Sequence, residues 1–163
     1  MTTPAAPDLF LYQTLKPSMG SALGRVHRLW RNAINQAVGD LGMTEARWAV
    51  MMHLDKVGEG CTQQALATEL AIEMPSLTRT LNQLQQQKLI ERRSHATDRR
   101  VHCLWFTAQG RQRVQTLEEH IAKVREEIYH GLSHQQLDAF ASVLLSMEGN
   151  VRTLLDKHTE EGA

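Results

Sequence analysis

The residues with most chemistry to offer lie between Thr62 and Thr107. From Pro75 to Gln86, Leu77, Leu81 and Leu84 recur at i, i+4 and i+7, the spacing of a helix face turned toward a core. Ser76, Thr78, Arg79, Asn82, Gln83 and Gln86 are then left pointing outward. That face carries hydroxyls, amides and a guanidinium, and no acid. These are the groups that pair with base edges in the major groove of duplex DNA. An ordinary solvated helix surface has a similar make-up, and the helix alone does not choose between the two.

The stretch after it does more to choose. Ile90 to Ser94 and Val101 to Phe106 are short runs of branched, aromatic and basic residues, separated by a polar segment that includes His95, Ala96, Thr97 and Asp98. This pattern predicts a β-hairpin with a long polar tip. Between Pro75 and Arg111 the cations are Arg79, Lys88, Arg92, Arg93, Arg99, Arg100 and Arg111, and the acids are Glu91 and Asp98. Seven against two leaves +5, in a chain of 163 residues whose formal net charge is zero. A local positive surface beside a polar helix is the electrostatic footprint of a nucleic-acid contact.

Taken together, the polar helix and the basic hairpin resemble the winged helix-turn-helix of MarR-family regulators, and within that family they are similar to the SlyA branch. The family's wing signature DxRxxxLxLT is present as Asp98, Arg100, Leu104, Phe106 and Thr107, with Phe106 where Leu is usual. The run Pro75, Ser76, Leu77, Thr78, Arg79, Thr80, Leu81, followed by Gln83 and Leu84, resembles the recognition helix. The likeness extends from about Leu23 to Leu155. It implies that Arg100 enters a minor groove and that Asp98 helps to hold the wing arginine. It also exposes a departure: Ala71 stands where relatives often have Gly in the turn between the two helices. If that turn needs a positive φ, Ala is strained there.

These residues must be positioned by the rest of the chain, which reads as mainly α with a small β wing. Residues 1–17 form an N-terminal extension: Met1 to Pro7 have no packing pattern, and Leu9, Phe10, Leu11, Tyr12 and Leu15 are apolar enough to dock. A first helix from Ser18 to Leu41 carries Leu23, Val26, Trp30, Ala33, Ala37 and Leu41, with Gly42 as its cap. Thr44 caps a second helix to about Val57, and Thr62 caps the helix that opens the motif. Thr107 caps a long helix ending near His130, with Val114, Leu117, Ile121, Val124 and Ile128 at alternating spacings of three and four. Ser133 and Gln136 form a capping box, after which Leu137, Phe140, Leu144, Met147, Val151, Leu154 and His158 continue the seam.

Apolar seams this regular need partners. Residues 18–43 and 112–163 are therefore assigned to a helical dimerisation region and 44–111 to the winged helix-turn-helix DNA-binding domain, so that the termini of two copies interlock. A homodimer sets its two reading helices about one helical turn of DNA apart. The expected target is an inverted repeat with half-site centres ~34 Å apart. Arg99 and Arg100 suit the narrow minor groove of A/T-rich sequence, and Arg92, Arg93 and Arg111 suit phosphate.

The resemblance further implies a small effector, an aromatic carboxylate or a phenol, held where the dimer helices meet the winged domain. Arg28 and Trp30 of the first helix and Thr44, Trp48, Met52 and His53 of the second are the candidates. Trp and Met offer apolar walls, Arg and His a partner for a carboxylate. Trp30, Trp48 and Met52 would equally serve as core.

Other chemistry is poorly supported. Two cysteines, Cys61 and Cys103, are too few for a disulfide framework and fit a reducing cytoplasm. Neither sits where redox-sensing members of the family place theirs, although the arginines near Cys103 favour a thiolate and keep a redox-responsive regulator as an alternative. His130 and His134 have i, i+4 spacing, but Gly131 and Ser133 interrupt a shared face, so neither metal nor cofactor is expected. The chain lacks GxxxxGK, HExxH and GxSxG, which argues against an enzyme. A basic leader is absent, and no apolar run approaches the ~18 residues of a membrane span. A winged domain used for protein contacts alone would need neither wing arginines nor an acid-free helix face.

Overall fold

Capping side chains fix where the helices begin. In the structure, a computed structural model, Ser18 Oγ accepts the backbone N–H of Ser21 at 3.2 Å and opens α1, Met19–Ala37. Thr62 Oγ1 accepts from Ala65 at 3.1 Å and opens α3, Gln63–Leu70, and Thr107 Oγ1 accepts from Gly110 at 2.9 Å and opens α5, Ala108–Ile128. The expected capping box opens α6, His134–Glu161: Ser133 Oγ accepts from Gln136 N at 3.2 Å, and Gln136 Oε1 accepts from Ser133 N at 2.9 Å. Thr44 does precede α2, Glu45–Val57, but its hydroxyl makes no cap and instead accepts the Arg47 Nε–H at 3.1 Å.

The structure describes residues 10–95 and 101–161, with side chains to residue 157. The expectations for Met1 to Pro7, for Asp98, Arg99 and Arg100, and for the side chain of His158 therefore lie outside the described residues.

α4, Met74–Gln86, starts after Glu73 and has Pro75 in its first turn, where a missing N–H costs nothing. Both helices of the motif end in the left-handed region on a residue other than glycine, Ala71 (φ 51°) and Lys88 (φ 57°). In each case the next N–H reaches back to close the end: Ile72 to Ala67 O at 3.1 Å, Leu89 to Leu84 O at 2.9 Å. The turn between α3 and α4 thus does require positive φ, and Ala71 adopts it.

β1, Ile90–Ser94, pairs antiparallel with β2, His102–Phe106, in the register Ile90↔Phe106 to Ser94↔His102. The loop before α3 joins this hairpin. Gly60 N donates to Leu104 O at 2.7 Å, Leu104 N donates to Cys61 O at 3.0 Å, and Thr62 bridges Cys103. Gly60, at φ 86°, lies against the Trp105 ring, where a Cβ would come within 3.1 Å. At the hairpin's root Thr107 N donates to Leu89 O at 3.1 Å.

The core lies among these elements. Met51 and Leu54 of α2, Leu66 of α3, Leu77, Leu81 and Leu84 of α4, Leu104 of β2 and Leu117 of α5 are wholly buried. The leucine face expected for α4 is therefore the one that packs. The first helix differs from expectation. It ends at Ala37, and a 3-10 turn over Gly39–Leu41 carries the chain to Gly42 at φ 65°. Its buried face runs through Ile34 to Val38 beyond its end, one residue off the expected Ala33 and Ala37, and Val26 is 54% exposed. Small alanines lost the contest for the core to the larger branched residues beside them.

By backbone contacts the chain falls into two compact units, Met1–Arg125 and Glu126–Ala163. In the second, none of the described side chains of α6 is buried, and Phe140, Val143, Leu144, Val151 and Leu154 are exposed.

Candidate nucleic-acid interface

Because the leucines of α4 are drawn inward, its opposite side is presented outward. Pro75, Ser76, Arg79, Asn82, Gln83 and Gln86 are exposed and Thr78 half-buried. Met74, Pro75, Thr78, Arg79, Asn82, Gln83 and Gln86 line one shallow surface. It contains no carboxylate, and Arg79 is tied to no acid among the described residues.

The arginines of the hairpin, and Arg111 at the start of α5, are less available than their charges imply. Arg92 turns toward α4: one Nη donates to Asn82 Oδ1 at 2.7 Å, the other to Thr78 O at 3.3 Å, and Nε is buried without a partner. Burial lowers its pKa from the ordinary value, but a guanidinium stays charged in proteins. Arg93 donates to Glu91 at 3.0 Å and lies over the Trp105 ring, 5.0 Å from its centroid. Arg111 grips both oxygens of Glu59 at 2.8 and 2.9 Å, and Glu59 also accepts from Phe106 N at 3.1 Å. Glu59, 52 residues from Arg111 in sequence, lies well before the basic stretch that begins at Pro75.

A second feature lies within the first unit. A hollow of about 460 Å³ is lined by His27 and Arg31 of α1, Glu45, Trp48 and His53 of α2, Ile72 of the turn, and Ser76 and Thr80 of α4. Trp48 Nε1 donates to Asn35 Oδ1 at 2.7 Å, Asn35 Nδ2 donates to Glu45 at 2.9 Å, and Arg31 pairs with the same Glu45. His53 Nδ1 is buried without a hydrogen-bond partner, 3.8 Å from Glu69. Glu69 accepts Lys56 Nζ at 2.6 Å, and that bond is the main reason its pKa is lowered.

Of the effector candidates read from sequence, only Trp48 and His53 line this hollow. Arg28 borders a separate cleft with Arg31, Asn32, Asn35 and Glu45. Trp30 and Met52 pack against the core, and Thr44 is exposed beside Arg47. His27, Arg31 and Thr80 also line the hollow, as does Ser76, read from sequence as a DNA contact; His27 and Arg31 stand at i, i+4 on one helix.

The cysteines face the core side of the wing. Cys103 is buried and Cys61 half-buried. Burial, then the neighbouring Cys103 thiol, pushes the Cys61 thiol up from its ordinary pKa. Among the described residues no helix is long and apolar enough to cross a membrane.

A short helix, a tight turn, a second helix with an exposed acid-free face and a two-stranded basic hairpin behind it make a winged helix-turn-helix. The sequence pattern of the MarR family matches residues 41–101. The transcriptional regulator PA3341 is 30% identical over 82% of this chain and 98% of its own, with a TM-score of 0.77. CouR, a transcriptional repressor solved on a 23-mer DNA duplex, is 27% identical over 80% of this chain and 92% of its own, with a TM-score of 0.73. BpsR of Bordetella bronchiseptica, whose DNA binding is regulated by 6-hydroxynicotinic acid, shares the fold at 21% identity over 82% of this chain and 95% of its own, with a TM-score of 0.72. The chain belongs to the MarR family of transcriptional regulators.

Proposed function

We propose that this chain is a homodimeric, cytoplasmic repressor of the SlyA-like branch that binds an A/T-rich inverted repeat and releases it when a small aromatic carboxylate or phenol is bound. One observation carries the DNA-binding part: α4 turns Pro75, Ser76, Arg79 and Asn82 outward on one face without an acid, beside the arginine-bearing hairpin. Such a face offers donors to base edges and repels no phosphate. CouR, seen on duplex DNA, is a relative at 27% identity and supports the same use here. In this reading Arg100 enters the minor groove, Arg99 suits the same groove, and Asp98 helps to hold the wing arginine.

The second subunit is argued from α6. A 28-residue helix with apolar residues at helical spacing and no buried side chain among those described calls for a partner surface. Residues 18–43 and 112–163 supply that surface in our reading, and 44–111 reads DNA. Two such subunits would place their α4 helices ~34 Å apart.

Effector control is argued from the hollow. Trp48 gives a flat apolar wall, and His27, Arg31 and His53 give cationic or donor groups for a carboxylate. Arg31 is already paired with Glu45, so an entering carboxylate competes with a contact that joins α1 to α2. A ligand that favours the altered α1–α2 arrangement lowers DNA affinity if that arrangement mis-sets the reading helices. BpsR, regulated by an aromatic acid, is a precedent within the fold.

The deciding experiment is a mobility shift with the protein's own upstream region at two salt concentrations. A sequence-specific complex that weakens steeply with salt is expected, and no complex at low salt would refute the proposal. Tryptophan fluorescence against a panel of aromatic acids tests the effector, with quenching and loss of the DNA complex expected together.

A further inference from the structure

We propose that Arg92 determines the base preference of α4 by occupying the side-chain oxygen of Asn82, so that Asn82 reads DNA as a hydrogen-bond donor only and selects a guanine or thymine edge rather than adenine. The inference rests on α4 being the reading helix.

Arg92 Nη lies 2.7 Å from Asn82 Oδ1. An arginine has donors and no acceptor, so the amide atom facing it must be the oxygen, whichever way an amide is drawn. The other Nη donates to Thr78 O at 3.3 Å, one turn earlier on the same helix. Held at two points, and with its Nε enclosed, the guanidinium cannot leave for a phosphate without breaking both bonds. It acts on DNA through Asn82 and is a positioning residue.

The consequence follows from the amide's two ends. An unencumbered Asn reads adenine with both, its oxygen accepting from N6 and its nitrogen donating to N7. Here the oxygen already accepts a charged hydrogen bond, and the positive charge behind it disfavours approach of the N6 amino hydrogens. The Nδ2 hydrogens remain. Asn82 is exposed on the outward face beside Arg79, Gln83 and Gln86, so those hydrogens meet an edge that only accepts: guanine N7 and O6, or thymine O4. Cytosine, which presents a donor there, is rejected, and adenine, left with N7 alone beside its own amino donor, is disfavoured against guanine or thymine.

The test measures base preference at every half-site position of the bound operator, by competition among duplexes substituted with each base pair, for the full-length protein. Asn82→Ala identifies the position that Asn82 reads. The wild type is expected to prefer guanine or thymine there. Arg92→Met, which keeps the stem and removes the donors, is expected to move that position toward adenine by about tenfold, the scale of one bidentate pair, and to leave other positions alone. Asn82→Asp keeps the Arg92 contact and removes the donors, so the same position should turn toward cytosine; if Arg92→Met does not melt cooperatively, the wild type's own preference at that position decides the matter. Adenine preferred by the wild type at that position overturns the proposal. So does a uniform loss across all sequences in Arg92→Met with the salt slope reduced by about one, which would mark Arg92 as a phosphate ligand. A wild type with no sequence-specific complex would instead strike at the reading of α4 itself.

Discussion

Replacing Ala71 by glycine should stabilise the protein, although glycine is ordinarily the worse choice. Ala71 sits at φ 51°, ψ 43°, just after α3. An L-residue with a Cβ in the left-handed region carries about 1–2 kcal/mol of steric cost that glycine escapes. Glycine also widens the unfolded ensemble, at a cost of about 0.4–1 kcal/mol. The difference leaves about 0.5–1 kcal/mol in favour of Ala71→Gly. Nothing else changes on paper: Ala71 is exposed, and its contribution to the turn is a backbone N–H directed to Ala67 O and Thr68 O, which glycine retains. The assay is urea unfolding followed by circular dichroism at fixed protein concentration, with Ala65→Gly as the control. Ala65 is also exposed but lies within α3, where glycine should cost about 0.5–1 kcal/mol. Opposite signs for the two substitutions are expected. If Ala71→Gly destabilises as Ala65→Gly does, the strain assigned to this turn is wrong.

Three further outcomes are expected. Gly110→Ala would place a Cβ 1.9 Å from the Leu89 carbonyl oxygen, which already accepts from Thr107 N, so the root of the wing must shift; a loss of about 3 kcal/mol or of folding altogether, read by thermal melting, is expected. Arg100→Ala should weaken operator binding and lower its salt slope by about one, and unchanged titrations at two salt concentrations would count against the wing assignment. Cys61 should react slowly with a thiol-directed disulfide reagent in the native state and quickly once unfolded, because burial holds its thiol protonated above the ordinary range, so native labelling should rise only at more alkaline pH. Fast labelling at neutral pH would revive a redox role.

The parts of the fold that could be read from the chain are those governed by local rules. Leucine spacing identified the buried face of α4, and Thr62, Thr107 and the Ser133–Gln136 pair announced three helix starts by the chemistry of capping. Thr44 shows the limit of that rule: the right residue stands at the right place, but a nearby arginine took its hydroxyl. The end of α1 was misjudged because alanines continue the spacing without the volume to hold a core position.

The interface was harder to read for a physical reason. A count of charges between Pro75 and Arg111 treats each arginine as free, whereas Glu59 arrives from the loop after α2 and Arg92 folds back onto α4 through side-chain geometry that no spacing encodes. The lining of the hollow is likewise assembled from α1, α2 and α4 by packing.

Ser76 borders the hollow as well as standing on the outward face of α4, and Thr80 lines the hollow one turn along. A small molecule lodged there would be separated from the bases by little more than the girth of one helix, ~10 Å. Communication between effector and operator would then need no relay through the molecule: tilting or shifting a single rod by its underside is enough to lift its upper side out of register.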